Sequence, residues 1–255
     1  MTLLEVNNLK KVYTTRFGGV SVQALSNVSF TVEQGEYVAI MGESGSGKTT
    51  LLNIIAALDK PTSGDVLLDG MNLSAIKEKD IAAFRRDHLG FVFQDFNLLD
   101  TFSIKDNILL PLVLANRTYD DMAARLAPVA QKLGISEVLD NYPYEVSGGQ
   151  KQRAAVARAL ITEPKLVLAD EPTGALDSSA TDGLLKIFAT INAEGQTILM
   201  VTHSIKAASH AGRVLFIKDG MVFHQIYRAN RTTDEMYECI TDALTAIATG
   251  GEQDA

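Results

Sequence analysis

The sequence of 255 residues holds a single cysteine, Cys239, so no intrachain disulfide can form. A reducing compartment fits that count, and a disulfide-framework secreted protein does not. Long apolar runs are also missing. The longest candidate, Ile108 to Ala115, is far short of the roughly 20 residues a membrane-spanning helix needs. The N-terminus, Met-Thr-Leu-Leu-Glu-Val, lacks a basic stretch leading into an apolar one, so no signal peptide is expected. Basic charge is in deficit, 23 Lys and Arg against 31 Asp and Glu, for a formal net charge of −8. An acidic surface is a poor match to nucleic acid, which rewards clustered Lys and Arg. No internal repeat, low-complexity tract or coiled-coil insertion is visible. What remains is a chain that is 46% hydrophobic and long enough to bury a full core.

Several short apolar runs end abruptly in polar or Gly-rich elements. Tyr37–Met41 runs into Gly42, Gly90–Phe93 into Gln94, Leu166–Ala169 into Asp170 and Glu171, and Thr197–Val201 into Thr202 and His203. Continuous apolar runs are typical of strands buried on both faces of a parallel sheet. Such sheets bind ligands at the carboxyl ends of their strands, so Gly42, Gln94, Asp170 and His203 are predicted to converge. The segment from Leu3 to Met41 reads as strands with a turn at Gly35-Glu36. The stretch of about 95–160 reads as a helical subdomain inserted into an α/β sheet domain. Within it, Met122, Leu126, Val129 and Leu133 have helical spacing after the capping pattern Thr118-x-x-Asp121. Val214–Ile217, Asp219-Gly220 and Met221–Phe223 read as a hairpin. Thr233 to Ala248 reads as a helix, followed by a frayed tail at 250–255. The expected division is 3–228 for the main domain and 229–255 for the C-terminal helix and tail.

Gly42-Glu43-Ser44-Gly45-Ser46-Gly47-Lys48-Thr49 matches the phosphate-loop pattern G-x-x-x-x-G-K-[ST] between a buried strand and an apolar helix. Its glycines let backbone N–H groups point at phosphate oxygens, and the helix beyond aims its positive end at the same place. Lys48 is expected to reach the β- and γ-phosphates and Thr49 to ligate Mg²⁺, with Thr50 next in the nucleotide site. Asp170 has the place of a second Mg²⁺-organising carboxylate, and Glu171 that of a base for the attacking water. Alone, an Asp-Glu pair after a strand is usually a solvated strand end. Ser147-Gly148-Gly149-Gln150 opens another helix, with Ser147 a natural N-cap and N–H groups open to a second anion.

With these motifs on one chain, the sequence resembles the ATP-binding cassette (ABC) ATPases over about residues 3–225. Ser147–Gln150 upstream of the Asp170 strand, together with the phosphate loop, carries the resemblance; Val146 stands where Leu is usual. It implies a P-loop NTPase with a RecA-like core, an N-terminal antiparallel β-subdomain and an inserted helical subdomain. It also implies a homodimer in which ATP and Mg²⁺ on the phosphate loop of one chain are capped by Ser147 to Gln150 of the other. By the same resemblance Tyr13 stacks on adenine and Gln94 lies near Mg²⁺ and the water. Asp177, in Ala175-Leu176-Asp177, crosses the dimer interface, and His203 contacts the γ-phosphate. Taken singly, Tyr13 reads more often as a strand aromatic and His203 as a packed or solvated residue; the order and spacing of the set carry the assignment.

Phe96-Asn97-Leu98-Leu99-Asp100-Thr101 and Asp170–Ser178 look most like cassettes of bacitracin and lantibiotic resistance. That implies an integral membrane permease as partner, with a sensor kinase reached through it. It also implies a cytoplasmic location, peripheral on the inner face of the cell membrane. Phe96, Leu98 and Leu99 read either as a surface for the permease or as local packing residues. Related cassettes of macrolide export, lipoprotein release and cell division are the alternatives. A GTP-binding switch would need Asn-Lys-x-Asp, which is absent, and a ribosome- or DNA-directed cassette fits poorly with one acidic cassette, so no nucleic-acid partner is expected.

Overall fold

A computed structural model of the chain describes residues 1–14, 19 and 21–249, with side chains through 247; the expected frayed tail at 250–255 lies outside the described residues. The N-terminal third is built on strands β1 (Thr2–Tyr13), β2 (Val22–Glu33) and β3 (Tyr37–Met41), and helix α1 (Lys48–Ile55) follows the phosphate loop. Strands β4 (Ser63–Leu68) and β5 (Met71–Asn72), helix α2 (Glu78–His88) and strand β6 (Leu89–Val92) come next. Between β6 and β7 (Leu166–Asp170) the described chain forms helices and no strand: α3 (Ile104–Leu114), α4 (Tyr119–Leu133) and α5 (Gly148–Leu160), with short 3₁₀ turns. Then follow α6 (Ser178–Ala193), β8 (Thr197–Val201), α7 (Ile205–Ala208), β9 (Arg213–Lys218), β10 (Met221–Tyr227) and α8 (Thr233–Thr249).

The strands form one mixed sheet in the order β5-β4-β1-β2-β10-β9-β3-β8-β7-β6. Strands β9, β3, β8, β7 and β6 are parallel, while β1, β2, β4 and β5 pair antiparallel. The apolar runs behave as their composition requires, because residues alternate between two buried faces. Ala39, Met41, Val167, Ala169, Ile198 and Met200 face one core, shared with α3, α4, α5, α6 and α8. Val38, Ile40, Leu166, Leu168, Leu199 and Val201 face a second core, shared with α1 and the antiparallel strands. Each fully buried Leu or Ile contributes on the order of 1.5–3 kcal/mol, so neither face of the sheet tolerates a polar register.

Local signals set several boundaries. The Thr118 side chain accepts from Asp121 N at 3.3 Å and starts α4, which ends on Gly134 in the left-handed region. The hairpin turn falls at Asp219-Gly220. The apolar stretch at 108–115 becomes the second half of α3, with Pro111 inside the helix. No helix among the described residues is long and apolar enough to cross a membrane.

Candidate active site

Strand β3 delivers the chain to Gly42 at the carboxyl edge of the sheet, and α1 leaves from Lys48. The loop between them curls against β2. Gly47 has φ +98°, and a Cβ there would lie 2.3 Å from the Ala24 carbonyl oxygen. Only glycine meets both demands, the left-handed backbone and the close approach. The Lys48 Nζ donates to the carbonyls of Gly42 and Glu43, each at 2.8 Å. An ammonium has three N–H donors, so one remains for an anion. Burial pushes the Lys48 amine below its ordinary pKa, while the charges of Glu171 and Asp170 pull it back up.

Parallel pairing places the ends of β3, β8 and β7 side by side. A cavity of about 360 Å³ opens there, lined by Gly42, Ser44, Gly45, Gly47, Lys48, Thr49 and Thr50, by Asp170 and Glu171, and by His203. Residues from three distant parts of the sequence thus share one polar cleft whose floor is a helix N-terminus. Burial raises the Asp170 carboxyl; the neighbouring Glu171 charge adds to that, and Lys48 opposes it. Glu171 is tightly held. Its Oε2 accepts from Thr202 Oγ1 at 3.0 Å and from His203 N at 3.2 Å. His203 Nδ1 lies 2.8 Å from Oε1. The Glu171 backbone has φ +45° while its N–H donates to Val201 O. A long side chain in the left-handed region costs about 1–3 kcal/mol and persists only where its surroundings insist.

Other expected site residues lie elsewhere. Glu43 and Ser46 line a second cavity of about 330 Å³ behind the loop, walled by the β9–β10 turn and by Leu244 and Ile247 of α8. The buried Ser46 Oγ has no partner among the described residues. Gln94 follows β6 but does not line the cleft; its side chain rests on Gly174, where a Cβ would come 2.9 Å from Gln94 Cδ. The expected convergence therefore brings Gly42, Asp170 and His203 together and leaves the Gln94 side chain to one side. Tyr13 is tied to Asp59, its hydroxyl donating at 2.9 Å, with Lys11 Nζ 4.8 Å from the ring centroid. Asp177 caps α6, accepting from Ala180 N at 2.8 Å.

The helix start at Ser147 is a closed capping box. Ser147 Oγ accepts from Gln150 N at 3.2 Å, and Gln150 Oε1 accepts from Ser147 N at 2.9 Å. A Cβ on Gly149 would lie 3.1 Å from Ala180 Cβ, so one signature glycine answers a neighbour within the same chain. None of the residues from Ser147 to Gln150 lines the cleft that holds Lys48 and Glu171. Near the expected permease surface Leu99 is exposed, whereas Phe96 is half-buried and Leu98 packs on the core. Two residues of the site carry no signal in their immediate sequence: Thr202, which shares Glu171 with His203, and Ala24, whose carbonyl presses on Gly47.

A phosphate loop opening a helix, two carboxylates and a histidine at the ends of parallel strands define a P-loop nucleotide hydrolase. The relatives name the branch. The chain belongs to the ABC transporter family, whose model matches residues 25–174, and it is an ATP-binding subunit and ATPase of that family. It is 51% identical over 247 residues to the ABC transporter ATP-binding protein YxdL of Bacillus subtilis strain 168, covering 96% of this chain and 94% of that one. It is 46% identical to the bacitracin export ATP-binding protein BceA of Halalkalibacterium halodurans, over 94% of each chain. Among solved structures it superposes on a dimeric post-hydrolysis state of the cassette MJ0796 bound to ADP and Pi. The TM-score is 0.80 at 36% identity, covering 88% of this chain and 98% of that one.

Proposed function

We propose that two copies of this chain work head to tail and power a separate membrane permease that serves resistance to, or export of, antimicrobial peptides of the bacitracin or lantibiotic type. The observation that carries the shared site is the separation of its halves. Ser147–Gln150 is a capped helix start that contributes nothing to the cleft of its own chain; in this reading its N–H groups cap the nucleotide of a second copy. The dimeric state of the MJ0796 cassette supports this reading. The identity to a bacitracin export ATP-binding protein supports the substrate class. In this reading the complex sits on the inner face of the cell membrane, with a sensor kinase reached through the permease and no nucleic-acid partner.

In this reading the phosphate chain of ATP lies along Gly42–Thr49, with Lys48 on the β- and γ-phosphates, while Tyr13 would leave Asp59 to stack on adenine. The donor set fits Mg²⁺, a hard cation that takes oxygen ligands and leaves positions for phosphate and water. The Thr49 hydroxyl and the Asp170 carboxylate line the cleft, and Gln94 would approach from the end of β6. When bound, Mg²⁺ neutralises charge on the phosphate oxygens. Glu171, oriented by Thr202 and the His203 backbone, takes the proton of the attacking water. His203 and Lys48 stabilise charge on the γ-phosphate as it departs, and Asp177 meets the partner chain.

Mixed dimers test the arrangement. With Lys48→Ala on one chain and Ser147→Arg on the other, one site keeps both halves and about half the turnover should survive. With both lesions on one chain, neither site is whole and turnover should vanish. The reverse pattern would refute the shared site. For the substrate class, a host lacking the chain should become sensitive to bacitracin or a lantibiotic and be rescued by the wild type but not by Glu171→Gln. Unchanged sensitivity would reject the peptide reading, and sensitivity to macrolides instead would favour the macrolide-export branch.

A further inference from the structure

Helix α5 touches the end of β6 and the loop after β7 through a side chain absent from the cleft itself. Gln152 is fully buried. Its Nε2 donates to Phe93 O at 3.1 Å and to Pro172 O at 2.6 Å. The orientation of the amide follows from chemistry, since a reversed group would set its oxygen against two carbonyl oxygens. Both hydrogens are used, and Oε1 is buried with no partner among the described residues. Phe93 immediately precedes Gln94, and Pro172 immediately follows Glu171. An apolar side chain would spare the buried Oε1 but leave the Pro172 carbonyl without this donor, so the amide is present for what its two N–H groups hold.

The neighbourhood is held in the same way. On the same helix, Arg158 donates to Phe96 O at 2.9 Å and to Asn97 O. Phe96 and Asn97 have φ +62° and +49°, two successive non-glycine residues in the left-handed region, which need such an outside hold. The Gln94 side chain rests on Gly174, two residues beyond Pro172. The end of β6, the loop after β7 and α5 therefore meet in one junction, with Gln152 at its centre. Gln152 lies five positions beyond Ser147, about 7.5 Å along the helix, so the capped end of α5 cannot shift without carrying the amide.

We propose that Gln152 is a positioning residue for hydrolysis. It ties the Gln94 and Glu171 segments to the helix that begins at Ser147–Gln150, so that engagement of that helix start by a second copy's nucleotide sets both groups in this chain's cleft. The proposal rests on the roles given above to Gln94, Glu171 and the shared site.

Three changes in the full chain test it. Gln152→Leu removes both donors at similar volume. Gly174→Ala adds a methyl group 2.9 Å from Gln94 Cδ, displacing an exposed side chain while leaving Gln152 and the core untouched. Gln94→Ala serves as reference, alone and combined with Gln152→Leu. Displacing a positioned group by about 1 Å can cost on the order of a hundredfold. We expect kcat to fall about tenfold to a hundredfold in both Gln152→Leu and Gly174→Ala. The dissociation constant for ATP should stay unchanged, because neither residue lines the cleft. The double variant should lose less than the two single losses multiplied together, since Gln94 is one of the two groups that Gln152 sets.

Wild-type kcat in folded Gln152→Leu would overturn the proposal, as would a loss that adds in full to that of Gln94→Ala. If Gln152→Leu fails to fold, Gly174→Ala decides, and wild-type turnover there overturns the junction. The two layers separate cleanly. A Gln94→Ala chain with wild-type turnover ends the role of Gln94 and the proposal with it. A slow Gln94→Ala beside a fast Gln152→Leu ends only the positioning role.

Discussion

Replacing Glu171 by Gln removes a base while leaving its setting intact. The carboxylate makes three contacts: Oε2 accepts from Thr202 Oγ1 and His203 N, and Oε1 lies 2.8 Å from His203 Nδ1. A glutamine amide with its oxygen in the Oε2 position accepts the same two donors, and its NH₂ donates to an unprotonated Nδ1. The geometry is kept and proton affinity is lost. A positioned general base contributes about 10²–10⁴-fold, equivalent to about 3–5 kcal/mol of barrier. Phosphate release at saturating ATP should therefore slow by two to four decades, about the span of a general base. ATP affinity should stay within about threefold, since the lost interaction belongs to the transition state. Gel filtration with ATP should show a persistent dimer. Glu171→Ala is the informative contrast, because it also takes the acceptor from the buried Thr202 O–H, whose oxygen keeps only the Ser204 N–H, at a cost of about 1–3 kcal/mol of stability. A Glu171→Gln chain that hydrolyses ATP within about threefold of wild type would refute the assignment of the base.

Asp170→Asn should raise the melting temperature of the nucleotide-free chain at pH 7 while abolishing hydrolysis. The folded-state pKa of Asp170 is raised, chiefly by burial. Its contribution to stability is thus full below the unfolded pKa and lost as pH rises through the folded one. The advantage of Asn should accordingly shrink toward pH 4, about the ordinary carboxylate value, and a pH-independent gain would contradict that origin. Gly47→Ala should destroy nucleotide binding, because its Cβ would meet the Ala24 carbonyl at 2.3 Å in a φ +98° backbone; retained binding of a fluorescent ATP analogue would refute it. Asn107 is buried, accepts from Leu99 N and shares its NH₂ among the Leu99, Phe102 and Ser103 carbonyls. Asn107→Leu should lower unfolding stability by about 2–4 kcal/mol and loosen the loop at 96–103; a loss below about 1 kcal/mol in urea titration would show that the loop holds itself.

The features legible in the sequence are those that local physics completes. A buried strand, a Gly-rich turn and an apolar helix in succession identify the phosphate loop. Ser147 and Thr118 cap the helices their spacing announced, and Asp219-Gly220 turns the hairpin. In each case the partners lie within a few residues, so spacing carries the geometry. Helix α2 and strand β5 carry little local signal, because α2 buries a single side chain, Phe84, and β5 spans two residues. Spacing does not announce the contacts of Tyr13, which Asp59 and Lys11 hold from 46 and 2 residues away.

By itself, then, the sequence determined that this chain has a phosphate-loop pattern between a strand and a helix, two carboxylates at a strand end and a second glycine-rich, capped helix start. The tertiary structure alone decided which of these meet. Strand order β3-β8-β7-β6 is written in no single segment; it arises because each strand needs both faces covered and both edges paired. That order puts Thr202 and His203 onto Glu171 across about 30 residues of chain, aims Gln152 at Phe93 and Pro172, and leaves Ser147–Gln150 outside the cleft of its own chain.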